Sequence, residues 1–156
     1  MKLYLVQHGE ALAKEADPER PLTPQGEHDL QHIAALLGRL GVLVGRVVHS
    51  GKLRARQSAE ILAGVVTPGR EPQAIPGIEP LDPVKPFARQ VKEWCDDAVV
   101  VGHLPFLARL VAKLVGADPE YPPVAYRPGT LVCLERDTDG VWQVAWMVRP
   151  ELLQDG

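Results

Sequence analysis

Two histidines and an arginine are placed where the sequence could build a catalytic pocket. His8 follows the apolar run "LYLV", Arg54 lies shortly after the run "RVVHS", and His103 ends the run "DDAVVVGH". Continuous apolar runs of this length are typical of parallel strands that are covered on both faces. Because the carboxyl ends of parallel strands meet at one edge of a sheet, where ligands usually bind, we expect the three side chains to converge there.

These three residue types fit phosphoryl transfer. A neutral imidazole is a good nucleophile, so His8 could attack phosphorus in line and form a phosphohistidine that water later hydrolyses. Arg54 and a protonated His103 would stabilise the charge on the equatorial phosphoryl oxygens. A single histidine beside a strand is more often a packing residue, so the prediction depends on all three side chains meeting.

The segment "SGKLRARQS" indicates an anion site. Lys52, Arg54 and Arg56 lie in the first turns of a predicted helix, where the helix dipole is unfavourable for cations. A bound phosphate would explain this arrangement, because free amides, dipole and cationic side chains would all favour it. The alternative is that Lys52 and Arg56 point into solvent and only their alkyl stems contribute.

Helical and strand patterns alternate along the chain. Thr23 is expected to cap a helix that begins at Pro24, and Gly38 and Gly41 are expected to end it. Further elements are predicted at the following places: helices at about 52–63, from Pro83, and from Pro105 to Gly116; strands at 3–6, 46–50, 73–75 and 96–103; and a hairpin of "TLVCLE" and "VWQVAWMV" that turns at Asp139 and Gly140. This alternation predicts an α/β fold, a three-layer α/β/α sandwich on a mostly parallel, mixed sheet.

Composition narrows the domain count, the partners and the compartment. The chain has 156 residues, of which 46% are hydrophobic, so residues 1–156 are expected to form one domain. A net charge of -3 gives no general attraction to nucleic acid or to an acidic membrane. Cys95 and Cys133 lie in apolar segments, where buried thiols are usual. Since no stretch reads as a signal peptide or a membrane span, we expect a soluble protein of the reducing cytoplasm.

Four segments carry a resemblance to a known family. "LYLVQHGEA", "RPLTPQG", "SGKLRARQS" and "VGHLP" match in order and spacing the motifs of the histidine phosphatase superfamily, and the chain resembles in particular its small SixA-type phosphohistidine phosphatases. The resemblance covers nearly the whole chain and implies a phosphoglycerate-mutase-like fold and a metal-independent phosphatase without a cofactor. It also implies that His8 is the nucleophile, Arg54 binds the phosphoryl oxygens and His103 is the second pocket histidine.

The same segments give candidate substrate-binding residues and two departures from the family pattern. The candidates are Gln7, Gly9, Ser50 and Lys52. Gln7 stands where the family has an arginine, which removes a charge from the phosphate pocket, and Gly51 stands where a proline is usual, which loosens a loop. We expect Lys52, or less readily Arg56, to supply the missing charge.

The substrate class depends on whether a general acid is present. A phosphoester needs a proton donor for its leaving group, and Glu10, Glu79 and Asp82 are the candidates. Glu79 and Asp82 equally fit solvated turn residues. A phosphohistidine relaxes this demand, because its leaving group is another imidazole. We therefore predict a phosphohistidine protein phosphatase acting on a phosphohistidine-bearing protein or a small phosphorylated substrate.

Two other functions stay open on the sequence. One is a small phosphomonoesterase of the same superfamily that uses one of the three carboxylates. The other is a phosphate-binding module that lost turnover through Gln7. A metal site at His28 and His32 is disfavoured, since these residues share a helix face but lack a third ligand. His49 is expected to pack at a strand end.

Overall fold

A computed structural model describes residues 1–154 as a six-stranded sheet with helices on both faces. The strands are β1 (Lys2–Gln7), β2 (Arg46–His49), β3 (Gln73–Ala74), β4 (Ala98–Gly102), β5 (Leu131–Arg136) and β6 (Trp142–Val148). The helices are α1 (Pro24–Arg39), α2 (Leu53–Val66), α3 (Val84–Lys92) and α4 (Phe106–Val115), followed by a 3-10 turn at Pro150–Leu152.

The strand order is β3-β2-β4-β1-β5-β6. Strands β1 to β4 run parallel to one another, whereas β5 and β6 form an antiparallel hairpin at one edge. In the central pair, Gln7 of β1 lies opposite Gly102 of β4. The predicted mixed α/β/α sandwich is confirmed, and this register places the residues that follow β1 and β4 side by side.

Alternation along β1 divides its side chains between two cores. Leu3 and Leu5 pack with α3 and α4 on one face, and Tyr4 and Val6 pack with α1 and α2 on the other. Every residue of β4 is buried, as expected for a central parallel strand covered on both sides. Helices therefore cover both faces of the sheet, and its carboxyl edge is where a functional site can form.

Helix α1 follows the predicted pattern at its start and departs from it at its end. The Thr23 hydroxyl accepts a hydrogen bond from Gly26 N, as a helix cap does. The helix continues through Gly38 and ends at Arg39, so Gly38 does not end it. Gly41 has a φ of +68°, which makes it the turn residue that follows.

The other helices match their predictions within a few residues. Helix α2 extends to Val66, which is buried, because the apolar face continues past Ala63. Helix α4 ends at Gly116, whose φ of +82° is the left-handed conformation of a helix stop. The hairpin turns at Gly140 as predicted, also with a φ of +82°.

Cysteine burial differs from the prediction at one position. Cys133 on β5 is buried, but Cys95 is exposed, because it follows the end of α3 rather than lying within an apolar face. None of the helices in the described part of the chain has the length and hydrophobicity of a membrane span.

Candidate active site

The carboxyl edge of the sheet brings the two predicted histidines together. The His8 backbone amide donates to Gly102 O at 3.0 Å, which joins the ends of β1 and β4. The rings of His8 and His103 have centroids 5.0 Å apart and are tilted by 52°. Both side chains are nearly buried, with 9% and 2% of their surface exposed. Two imidazoles therefore face one small volume at the edge.

The backbone after β1 fixes the protonation state of His8. Its Nδ1 lies 2.7 Å from the Gly9 carbonyl oxygen. Because a carbonyl oxygen only accepts, Nδ1 carries the proton and Nε2 keeps a free lone pair. Burial, opposed in part by the Gly9 hydrogen bond and reinforced by the positive charges of Arg54 and Arg20, lowers the pKa of His8 to about 4. His8 is therefore a neutral imidazole at neutral pH with Nε2 as its nucleophilic atom.

Gly9 holds the nucleophile in place. Its amide donates to Ser58 Oγ at 3.0 Å, and its carbonyl accepts from His8, so both backbone groups are engaged within the protein. A Cβ here would lie 2.7 Å from Leu30 Cδ2 and 2.9 Å from Gly26 O, so only glycine fits beside α1. We therefore assign Gly9 a positioning role, which differs from the substrate contact predicted from the sequence.

Ser58 is a site residue to which the sequence analysis gave no role. It is fully buried on α2, accepts from Gly9 N and donates to Arg54 O at 2.7 Å. This one hydroxyl joins the loop that carries His8 to the helix that carries Arg54. The sequence signal was a serine on the helix face that also holds Ala55 and Ala59.

His103 is paired with Ser50, the residue that follows β2. Ser50 Oγ lies 2.6 Å from His103 Nε2, and His103 Nδ1 is buried without a hydrogen-bond partner among residues 1–154. Burial, followed by the charges of His8 and Arg54, lowers the pKa of His103 to about 3. The ring is therefore neutral at pH 7 in this structure, and the protonated His103 predicted from the sequence needs a negative charge in the pocket.

Arg54 lies in the first turn of α2, with its side chain partly buried. No side chain caps the amides of that turn, and Arg54 Nε is buried without a partner among residues 1–154. Burial and the nearby Arg20 charge lower the pKa of Arg54. A helix start with free amides and an unpaired guanidinium fits a phosphate group.

The two departures from the family pattern have different structural consequences. Gln7 is buried, and its Oε1 has no hydrogen-bond partner in the described part of the chain. Gly51 has a φ of +92°, a conformation that proline cannot adopt. Its amide donates to His49 Nδ1 at 3.0 Å, so the loop is held by a hydrogen bond rather than loosened. His49 itself is buried at the strand end, as predicted.

The two cations expected to replace the missing arginine are both paired with carboxylates. Lys52 Nζ lies 3.6 Å from Glu79 Oε1, although its charge still lowers the pKa of His103. Arg56 Nε lies 3.6 Å from Glu60 Oε1, one turn along α2. Arg56 therefore has the solvent-facing role that the sequence left open as the alternative.

The three candidate general acids make contacts away from the two histidines. Glu10 Oε2 accepts from Thr23 Oγ1 at 2.7 Å, at the start of α1. Asp82 Oδ2 accepts from Glu79 N at 2.8 Å, which makes Asp82 a turn residue. Glu79 Oε1 pairs with Lys52 Nζ at 3.6 Å. His28 and His32, where a metal site was disfavoured, have rings 4.2 Å apart, and among residues 1–154 no cluster of three possible metal ligands occurs.

The chain between His8 and α1 folds back on itself. Ala11 and Leu22 form an antiparallel bridge, and Leu22 N donates to Gln57 Oε1 of α2 at 2.8 Å. This return brings Arg20 close enough for its charge to lower the pKa of both His8 and His103. Arg20 begins the segment "RPLTPQG", but the sequence predicts no role for it, because no local sequence pattern shows the direction in which the loop returns.

Comparisons with known proteins agree with the resemblance found in the sequence. No family model matches the chain. An uncharacterized protein of a Picosynechococcus species is 38% identical over 114 residues, 69% of this chain and 68% of that protein. Phosphohistidine phosphatase SixA of Escherichia coli is 26% identical over 155 residues, 96% of this chain and 94% of that protein. The solved structure of the protein histidine phosphatase SixA complexed with tungstate has a TM-score of 0.86 and 25% identity, and covers 99% of this chain and 100% of that chain.

The sheet order and the solved neighbours define the class: an α/β fold of the phosphoglycerate-mutase-like type. Within that class, the chain is similar to the small SixA-type histidine phosphatases. The resemblance drawn from the four sequence segments is thereby confirmed.

Proposed function

We propose that this protein is a phosphohistidine phosphatase that works through a covalent phosphoryl group on His8. The observation that carries the proposal is the hydrogen bond from His8 Nδ1 to the Gly9 carbonyl, which leaves Nε2 unprotonated beside His103 and Arg54. The similarity to phosphohistidine phosphatase SixA supports the same activity.

In the first step, His8 Nε2 attacks phosphorus, and the bond between phosphorus and the substrate imidazole breaks. If that ring is protonated on its other nitrogen, it leaves as neutral imidazole and takes no proton from the enzyme. The Arg54 guanidinium and the amides of the first turn of α2 would stabilise the charge on the phosphoryl oxygens. The dianion would also raise the pKa of His103 from about 3, so that His103 could take up a proton and donate to an oxygen.

In the second step, water attacks the phosphoryl group on His8. The phosphorylated ring keeps its Nδ1 proton, which stays hydrogen-bonded to Gly9 O. The ring therefore carries a positive charge and leaves phosphorus as neutral imidazole. The proton of the water goes to the released phosphate or to solvent. One hydrogen bond therefore serves both steps: it exposes the lone pair in the first and maintains a good leaving group in the second.

A phosphohistidine fits this site better than a phosphoester does. An alkoxide leaving group needs a positioned acid, and the candidate carboxylates make other contacts: Glu10 with Thr23, Asp82 with the Glu79 amide, and Glu79 with Lys52. No carboxylate within residues 1–154 holds a proton on His103, and the proton that it takes up beside a bound phosphoryl group is donated to a phosphoryl oxygen rather than to the leaving group. Transfer between two imidazoles needs less help from an acid.

The test measures phosphate release from a phosphohistidine-bearing protein and from an alkyl phosphate, under conditions with a chelator present. We expect release from phosphohistidine by the wild type, at least about 10²-fold faster than from the ester. His8→Ala should lose at least about 10⁴-fold of the activity. His28→Ala is the matched control, because His28 lies on the exposed face of α1, and should keep full activity.

Any of three results would contradict the proposal. Full activity in His8→Ala would remove the covalent step. Faster release from the ester, lost in Glu79→Gln, would instead assign a phosphomonoesterase with Glu79 as the acid. Phosphate binding without release from either substrate would mean that Gln7 marks a phosphate-binding module.

A further inference from the structure

Arg20 is a cation at the site to which the proposed reaction assigns no role. Its φ is +50°, and no other non-glycine residue in the described part of the chain has a positive φ. Non-glycine residues rarely adopt this conformation, and where they do the surrounding structure usually enforces it. The contacts of the loop show how it is enforced here.

The loop holds the Arg20 side chain along its length. Arg20 Nε donates to Leu12 O at 3.0 Å, and Arg20 N donates to Asp17 O at 2.9 Å. Leu12 N in turn donates to Pro21 O at 2.9 Å. The bond at Nε uses one side of the guanidinium, which leaves the terminal nitrogens for another partner.

The direction of the loop brings Arg20 next to the helix that carries Arg54. Two residues after Arg20, Leu22 N bonds Gln57 of α2, one turn from Arg54. The Arg20 charge lowers the pKa of His8, and it is also the neighbouring charge that lowers the pKa of Arg54. No carboxylate within residues 1–154 forms an ion pair with Arg20.

We propose that Arg20 binds the phosphoryl group and supplies the positive charge that Gln7 does not. This inference rests on the proposed function, since it concerns the same phosphoryl group. The two cations expected from the sequence to do so are less available: Lys52 is paired with Glu79, and Arg56 with Glu60. Arg20 and Arg54 are thus the two guanidinium groups next to the histidines without such a partner in the described chain.

Binding of inorganic phosphate, measured by calorimetry, tests the inference without depending on turnover. Arg20→Met should weaken phosphate binding by about 10- to 100-fold, the usual effect of losing a charge-assisted contact. Lys52→Met should change it by less than about 3-fold, as expected for an exposed ion pair. Arg20→Gly is the second variant, because glycine accepts the positive φ and removes only the side chain. It should weaken binding as much as Arg20→Met does.

Rescue separates a lost charge from a damaged loop. Gln7→Arg introduced into Arg20→Gly should restore phosphate binding to within about 5-fold of the wild type, since it returns a guanidinium to the pocket by another route. If Arg20 had only a structural role in its loop, Gln7→Arg on β1 would not restore phosphate binding. Arg20→Lys should retain part of the affinity, because it keeps the charge but not the planar contact.

Two results would overturn the inference: wild-type phosphate affinity in both Arg20 variants, or a loss that Gln7→Arg does not restore. Failure of the proposed function looks different. In that case the wild type would bind phosphate, with Arg20 required, and would release none from phosphohistidine.

Discussion

Cations cluster at both ends of the sheet, and the two clusters are built differently. At the carboxyl edge, the charges of Arg54 and Arg20 lower the pKa of both His8 and His103. At the amino end, a groove of about 610 Å³ lies between α3, α4 and the hairpin. We call it the basic groove; its cations are Lys85, Arg89, Lys92, Lys113 and Arg136.

Four of the five cations of the basic groove have favourable surroundings within the protein; Lys85, in the first turn of α3, is the exception. Arg89 and Lys92 lie in the last turn of α3, and Lys113 in the last turn of α4, where the helix dipole favours positive charge. Arg136 donates to Trp94 O at 2.7 Å and lies over the ring of Trp142 at 5.3 Å. These charges need no anion.

The pocket has the opposite arrangement. Arg54 stands at a helix start, is partly buried, and has a buried Nε without a partner among residues 1–154. Burial holds His8 and His103 neutral. The number of cations therefore does not define a phosphate site. A phosphate site is defined by cations and donors that are placed unfavourably until an anion arrives.

Matched removal of one cation from each region gives the largest difference. Arg54→Met should lower kcat/KM for phosphohistidine by about 10³-fold, because its guanidinium is the main charge facing the phosphoryl group. Lys92→Met in the basic groove should change kcat/KM by less than about 2-fold. Steady-state kinetics on both variants checks this, and equal losses would mean that the two regions do not differ as described.

Phosphate should stabilise the fold through the pocket alone. At 100 times its Kd, phosphate should raise the free energy of unfolding by about 2.7 kcal/mol. The gain should vanish in Arg54→Met and persist in Lys92→Met, as measured by urea unfolding with and without phosphate. Loss of the gain in Lys92→Met would place the phosphate in the basic groove.

The contrast between the regions was only partly visible in the sequence. Periodic apolar residues predicted every helix and strand, and apolar runs ending on His8 and His103 predicted the edge where they meet. The protonation states were not predictable, because the burial of His103 depends on how the whole edge closes. Arg20 was missed since its position depends on the bridge between Ala11 and Leu22, a contact that no local pattern shows.

Ser58 should matter for both stability and activity, unlike the buried hydroxyl of Thr67, which follows the opposite end of the same helix. Ser58→Ala leaves Gly9 N unpaired and should cost about 1 to 3 kcal/mol of unfolding free energy. It should also lower kcat about 10-fold, since the loop carrying His8 loses its link to α2. Thr67→Val removes a hydroxyl bonded to Ala63 O, far from the pocket, and should affect stability alone. Unchanged kcat in Ser58→Ala would assign Ser58 to the core.

Acid should weaken the fold through the pocket histidines. The pKa of a histidine in the unfolded chain is about 6.5, whereas His8 and His103 have folded values of about 4 and about 3. The unfolded state therefore binds more protons, and the free energy of unfolding falls as the pH drops below about 6.5. Urea unfolding between pH 7 and pH 4 should show a smaller decrease for His103→Asn than for the wild type. An equal decrease would contradict the burial of His103 as its cause.

The most direct test of the account is to trap the phosphoryl group on the enzyme. The wild type is mixed with a phosphohistidine-bearing protein, quenched in base, where phosphohistidine survives, and mapped by mass spectrometry of its peptides. If His8 is the nucleophile, a phosphoryl group appears on His8 within the first turnover and disappears as phosphate is released. Turnover with no phosphoryl group on His8, or with one on His103 instead, would contradict it.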